Sequence, residues 1–110
     1  MDDRAERIGR NEVLFREINE RLENVNAAFT ALSKHAEFVC ECGDAACLER
    51  ISVPLAEYER LRHDPTQFAL VRGHEDADVE SVVHSAGGYV VVRKHPGGPA
   101  ELAASEDPRA

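Results

Sequence analysis

Three cysteines stand within eight residues, in the run Phe38-Val39-Cys40-Glu41-Cys42-Gly43-Asp44-Ala45-Ala46-Cys47, and the chain has no other. Thiolates are soft ligands, and three on one loop nearly complete a tetrahedral zinc site with Zn–S near 2.3 Å. Gly43-Asp44 supplies a tight turn between them, as in a zinc knuckle, where backbone N–H groups also point at the sulfurs. The spacing is Cys-x-Cys, so it departs from the Cys-x2-Cys of common fingers. One more ligand is required. His74 is preferred, 27 positions after Cys47 and beyond one helix and one strand, a length that lets the chain return to its starting end. His35 is expected to end a helix, His63 to cap carbonyls at another helix C-terminus, and His84 to face outward on a strand. Asp44 or a water is the remaining option, and a water would open a catalytic position.

Other chemistry finds little purchase. Three thiolates donate much charge and make a bound metal a poor Lewis acid. The deaminase pattern needs His-x-Glu before Pro-Cys-x-x-Cys; here His74-Glu75-Asp76 follows the cysteines. There is no nucleophile elbow, no P-loop and no dinucleotide fingerprint. Glu57, Glu59, Glu75, Asp76 and Asp78 read as a solvated face rather than an acid–base pair. Cys40-Glu41-Cys42 lacks the Cys-x-x-Cys spacing of dithiol oxidoreductases. The expectation is a non-enzyme. Reduced structural thiols, or a redox switch based on thiol oxidation, are the alternatives to a metal.

The ligands need elements to position them. Residues 6–33 read as one long helix without proline. From Phe15 the apolar residues Phe15, Ile18, Leu22, Val25, Phe29 and Leu32 follow 3-4 spacing, a heptad seam, which extends back to Asn11 and Ile8. Such a helix is roughly 40 Å long, so part of it is expected to protrude or to pair, through Phe15, Ile18, Leu22, Val25 and Phe29, with a protein partner or a second copy. Packing of this helix on its own domain is the plain alternative. Asn11 would set register in a pair or lie solvated in the first turn.

Residues 37–39 and 48–53 read as short strands around the cysteine loop. Pro54 suits the start of a helix over 54–63, which His63-Asp64-Pro65 ends. Gln67–Arg72 reads as a strand, Gly73–Asp76 as a loop, and 79–94 as a hairpin broken at Ala86-Gly87-Gly88; Val79, Val82 and Val83 in its first arm also fit one helical face, with Asp76 or Asp78 as cap. From Pro96 the chain looks disordered. The predicted fold class is α+β: a long N-terminal helix (6–33), a small zinc-stapled antiparallel β domain with one short helix (37–95), and a disordered tail (96–110).

Composition excludes partners more than it names them. At 110 residues, 43% of them hydrophobic and none Trp, the core is thin enough for a metal staple to matter. Net charge is −8, and no basic cluster provides a nucleic-acid footprint. No apolar run spans a membrane, and Met1-Asp2-Asp3-Arg4 lacks a signal-peptide h-region. A cytoplasmic protein is expected, where three close cysteines are metal ligands more often than disulfides. Arg outnumbers Lys eleven to two, which suggests a GC-rich genome.

The cysteine run, together with Leu55-Ala56-Glu57-Tyr58-Glu59, Asp64-Pro65-Thr66-Gln67-Phe68 and Gly73-His74-Glu75, resembles a family of small, largely uncharacterised zinc-binding-like proteins of GC-rich Gram-positive bacteria. The resemblance covers residues 10–94. It implies a metal site made by Cys40, Cys42, Cys47 and His74, and no enzyme activity. Val53 departs from it, standing before Pro54 where a Thr-like helix cap is expected. Taken together, the reading is a non-catalytic zinc-binding protein acting as a protein-binding or regulatory adaptor, of the transcription machinery or a sigma factor by analogy. The alternative is a thiol-based redox- or metal-responsive switch.

Overall fold

The computed structural model describes residues 3–27 and 35–108. Eight elements follow in order: α1 (Asp3–Ala27), β1 (His35–Val39), β2 (Arg50–Pro54), α2 (Leu55–Leu61), β3 (Gln67–Val71), β4 (Glu80–Ser85), β5 (Tyr89–Lys94) and α3 (Gly98–Ser105). The fold is α+β with two antiparallel sheets. One is the β1–β2 pair; the other has the order β3-β5-β4. No helix among the described residues is long and apolar enough to cross a membrane.

The central strand β5 reads as a continuous apolar run, Tyr89-Val90-Val91-Val92, because it is covered on both faces. Ala69 opposite Val91 faces a core with Phe38, Ile51, Val53, Tyr58 and Leu61. Phe68 opposite Val92, and Leu70 opposite Val90, face a second core shared with Cys40, Cys42 and Ala103. The Phe38 and Tyr58 rings stack at 4.1 Å between centroids. The cysteine loop is therefore part of the core, which fixes where its sulfurs point.

Two expectations are corrected. The tail is not uniformly unstructured, since Gly98–Ser105 forms α3 and packs on α1. Pro99 sits in its first turn, where a missing N–H costs nothing, and Ala103 is buried against the second core. Gly9 permits the approach: a Cβ there would lie 3.2 Å from Leu102 Cδ2.

The second correction concerns α1. Its buried positions are Gly9, Glu12, Arg16 and Asn19, each one residue on from the apolar seam, a rotation of about 100°. The helix packs on its own domain through a polar stripe. Of the expected seam, Phe15 is half-buried, Leu22 packs against the first core, and Ile18 is 38% exposed. Phe29 and the Val25 side chain lie outside the described residues.

The buried stripe works because every charged member meets a distant partner. Arg16 donates to Pro65 O at 2.5 Å and Ala103 O at 2.7 Å, and lies over the Phe68 ring. Asn19 mimics a strand edge, accepting from Val39 N–H at 2.7 Å and donating to Val39 O at 2.8 Å. The Lys94 ammonium donates to both Glu12 and Glu80, all three side chains being at most 2% exposed. Arg62, fully buried, pairs with Glu20 at 2.6 Å and Asp107 at 2.9 Å. Burial pushes the Glu12 carboxyl up to about 9, against the pull of Lys94.

Candidate metal centre

Four side chains come together as the sequence predicts. The ligand atoms of Cys40, Cys42, Cys47 and His74 lie within 4.8 Å of one another. His74 Nδ1 is 3.6 Å from Cys40 Sγ and 3.7 Å from Cys47 Sγ. A tetrahedron with Zn–S near 2.3 Å and Zn–N near 2.05 Å has S–N edges of about 3.6 Å. Those two distances match such edges, and the four ligand atoms are close enough together to surround one ion. Among the described residues no other group of three or more His, Cys, Asp or Glu side chains converges in this way. His63 and His84 stay outside, at the end of α2 and on exposed β4. Asp44 turns instead to the backbone, accepting from Ala46 N–H at 2.9 Å.

The chain's local physics builds this cluster from three places. Cys40 continues from β1, tied by its N–H to Glu49 O at 3.0 Å. The turn that carries Cys47 closes on Asp44 O at 3.0 Å. His74 follows β3 in a turn in which its N–H donates to Val71 O. Gly73 makes that turn with φ +95°, in the left-handed region that glycine enters without strain. A Cβ at Gly73 would meet nothing within 4 Å, so the demand there is conformational rather than one of close approach. Close approach is the demand at Gly43, where a Cβ would lie 2.5 Å from Ile8 Cγ2. Asn11, expected in a helix pair or in solvent, donates to Gly43 O at 2.9 Å and fastens α1 to the loop.

The loop's N–H groups serve the sulfurs as in a knuckle. Val71 N–H donates to Cys40 Sγ at 3.1 Å. The backbone N–H groups of Asp44 and Glu49 favour the thiolate forms of Cys42 and Cys47. In the free thiols, the hydrogen bond from Cys40 holds Cys42 down at about 5, and the same bond together with burial pushes Cys40 up. Burial also raises Cys47. Metal binding displaces the protons that the thiols still carry.

Glu49 is the residue that sequence reasoning missed. Its Oε2 lies 2.6 Å from His74 Nε2. A metal-bound histidine donates its other ring N–H to a carboxylate, which fixes the tautomer and raises ligand basicity. Glu49 is placed to take the Nε2 hydrogen bond of His74, so that Nδ1 faces the thiols. A glutamate two residues past Cys47 carries no signal in the sequence by itself; its role appears only when the loop folds back on His74. Directly beneath the loop, Glu41 is buried, accepting from Ala69 N–H, Tyr58 Oη and Asn19 Nδ2 at 2.8–2.9 Å. Its backbone bonds to Ala69 as well, so it locks the loop to β3.

Comparison with family models, with curated proteins and with solved structures finds no match for this chain. The geometry alone establishes a Cys3His group able to hold a metal ion.

Proposed function

We propose that the chain is a non-catalytic cytoplasmic zinc protein that works as a protein-binding or regulatory adaptor. The observation that carries the zinc assignment is the convergence of three sulfurs and His74, with the Cys40 and Cys47 sulfurs at tetrahedral edge lengths from His74 Nδ1. Zinc is favoured because the donor set is three thiolates and one imidazole, a closed structural combination. Four protein ligands leave no open coordination position, which argues against hydrolysis. The ion would staple the cysteine loop to the β3 turn and hold both against α1.

Support for the adaptor role comes from the outward face of α1. Leu14 is 53% exposed and Ile18 38% exposed, one turn apart, with Phe15 half-buried beside them. The transcription machinery or a sigma factor is the partner class, by analogy. The test is native mass spectrometry of the zinc-loaded protein, alone and with purified RNA polymerase or sigma factor. Association, with itself or with those proteins, is expected and should disappear in Leu14→Asp/Ile18→Asp. A monomer that binds neither, or binding indifferent to those substitutions, contradicts the reading.

A redox- or metal-responsive switch is the second reading. Cys47 is the least buried of the three cysteines, and Leu48 beside it is 90% exposed, so an oxidant can reach that sulfur. Zinc release by low peroxide with altered partner binding would support it; a site inert to peroxide would remove it.

A further inference from the structure

The two edges of the three-stranded sheet differ. The cysteine loop closes β3: Glu41 N–H donates to Ala69 O at 2.9 Å, Ala69 N–H to Glu41 Oε1 at 2.9 Å, and Val71 N–H to Cys40 Sγ at 3.1 Å. β4 is the other edge, and no strand lies beyond it among the described residues. Five of its six residues are exposed, Val82 and Val83 at 43% each. An open edge is a row of unpaired backbone groups that can take another strand, and single edges are commonly guarded by lysine, proline or inward-pointing charge. β4 has no lysine and no proline, and its one charged residue, Glu80, is buried against Lys94. Its irregularity is a bulge between Val82 and His84, which sharpens the local twist.

The ladder fixes which backbone groups point outward. His95 N–H donates to Val79 O at 2.8 Å, and Ala86 N–H to Tyr89 O at 2.9 Å. Bonded and unbonded pairs alternate along an antiparallel ladder. Counted inward from those two ends, Ser81–Arg93 and His84–Val91 are bonded pairs, while Val82 and Ser85 turn their N–H and C=O groups away from β5. In an antiparallel pairing with β4 of a second copy, Val82 of each copy meets Ser85 of the other and exchanges both backbone bonds with it. The bulge does not spoil that register, because Val82 and Ser85 are equally far apart in both strands. Charge selects the same occupant. A net charge of −8 sets copies of this chain against one another over most of their surface. Residues 81–92 contain no Asp, Glu, Lys or Arg, the longest such run in the chain, so repulsion is least at this edge. An ionic partner finds nothing to pair with there, whereas an identical uncharged strand does.

We propose that two copies of this chain pair β4 to β4 about a two-fold axis and join their sheets into one. Because β3 is closed in each copy, the joined sheet keeps no open edge, and assembly stops at two. One short strand pair is a small interface, so the dimer is a weak one, with a Kd of about 10 µM to 1 mM. The pairing is separate from the exposed face of α1, which is left to a different protein.

The test is sedimentation velocity of the full-length chain, with zinc supplied, from about 10 µM to about 1 mM. A monomer–dimer equilibrium across that range is expected, with amide exchange at Val82 and Ser85 slowing as the dimer fills. Ser85→Pro removes a donor that β5 does not use, and Val82→Lys supplies the missing edge guard. Each should weaken dimerisation about tenfold or more. Leu14→Asp/Ile18→Asp should leave it unchanged, which separates this contact from one made through α1. Both β4 positions are exposed, and if one variant fails to fold the other carries the test. A chain still monomeric at about 1 mM, a dimer lost in Leu14→Asp/Ile18→Asp, a dimer retained in the folded β4 variants, or growth beyond two copies would overturn the proposal.

Discussion

The thiol loop and the inner face of α1 bury polar groups by opposite means. The loop gathers three cysteines from eight consecutive residues and one histidine, a set that one ion can satisfy. The helix face buries Glu12, Arg16 and Asn19, which find Lys94, Pro65, Ala103, Val39 and Glu41, all far away in sequence. The first solution depends on something added to the chain. The second is self-contained, and its cost of burying charge is offset only if every partner is present. The two meet at the cysteine loop, where Asn11 and Asn19 hold the backbone that Cys40 and Cys42 ride on. The comparison predicts that the helix face tolerates chelation better than it tolerates loss of one ion-pair member.

The largest expected effect tests the self-contained half. Lys94→Met leaves Glu80 and Glu12 buried without their cation and should cost about 3–5 kcal/mol in denaturant unfolding. Adding Glu80→Gln should recover a good part of that loss. A Lys94→Met penalty below about 1 kcal/mol would mean the charges are not a stabilising network.

A smaller effect tests the other half. Glu49→Gln keeps a hydrogen bond to His74 Nε2 but removes the carboxylate, and should weaken metal binding about tenfold in a chelator competition. Tenfold is the lower end of such effects, because Glu49 is 58% exposed. Affinity unchanged from the parent would sever Glu49 from the site.

A further test is one of pH, read as a slope. The Glu12 carboxyl is raised from 4.5 to about 9 in the folded chain, by burial above all. A raised carboxyl holds its proton more tightly folded than unfolded. Its contribution is therefore complete below about 4.5 and is lost as pH climbs toward 9, at no more than about 1.4 kcal/mol per pH unit. Urea midpoints across that window should fall less steeply in Glu12→Gln than in the parent. Parallel slopes would show that Glu12 is ionised throughout.

The same comparison explains what could be read from the sequence. Cys40, Cys42 and Cys47 were legible because ligand type and short spacing are local facts, and His74 because few histidines remain once helix ends and strand faces are assigned. Glu49 was not, since its meaning comes from a fold-back onto His74. The hairpin and α2 followed from glycine and proline punctuation. The inner face of α1 was misplaced by one residue because apolar spacing marks the helix period but not which flank faces inward. Polar side chains with long-range partners took that flank. The α3 helix escaped for a related reason: Gly97-Gly98-Pro99 reads as disorder, yet Gly97 takes φ +128° and Pro99 opens the helix that α1 then supports.

The central claim is that Cys40, Cys42, Cys47 and His74 hold one zinc ion. X-ray absorption at the zinc edge, on protein purified without added metal, addresses it most directly. The account predicts one zinc per chain with three sulfurs near 2.3 Å and one nitrogen near 2.0 Å. A shell dominated by oxygen or nitrogen, or a folded protein carrying no metal whose amide spectrum ignores a chelator, would contradict it.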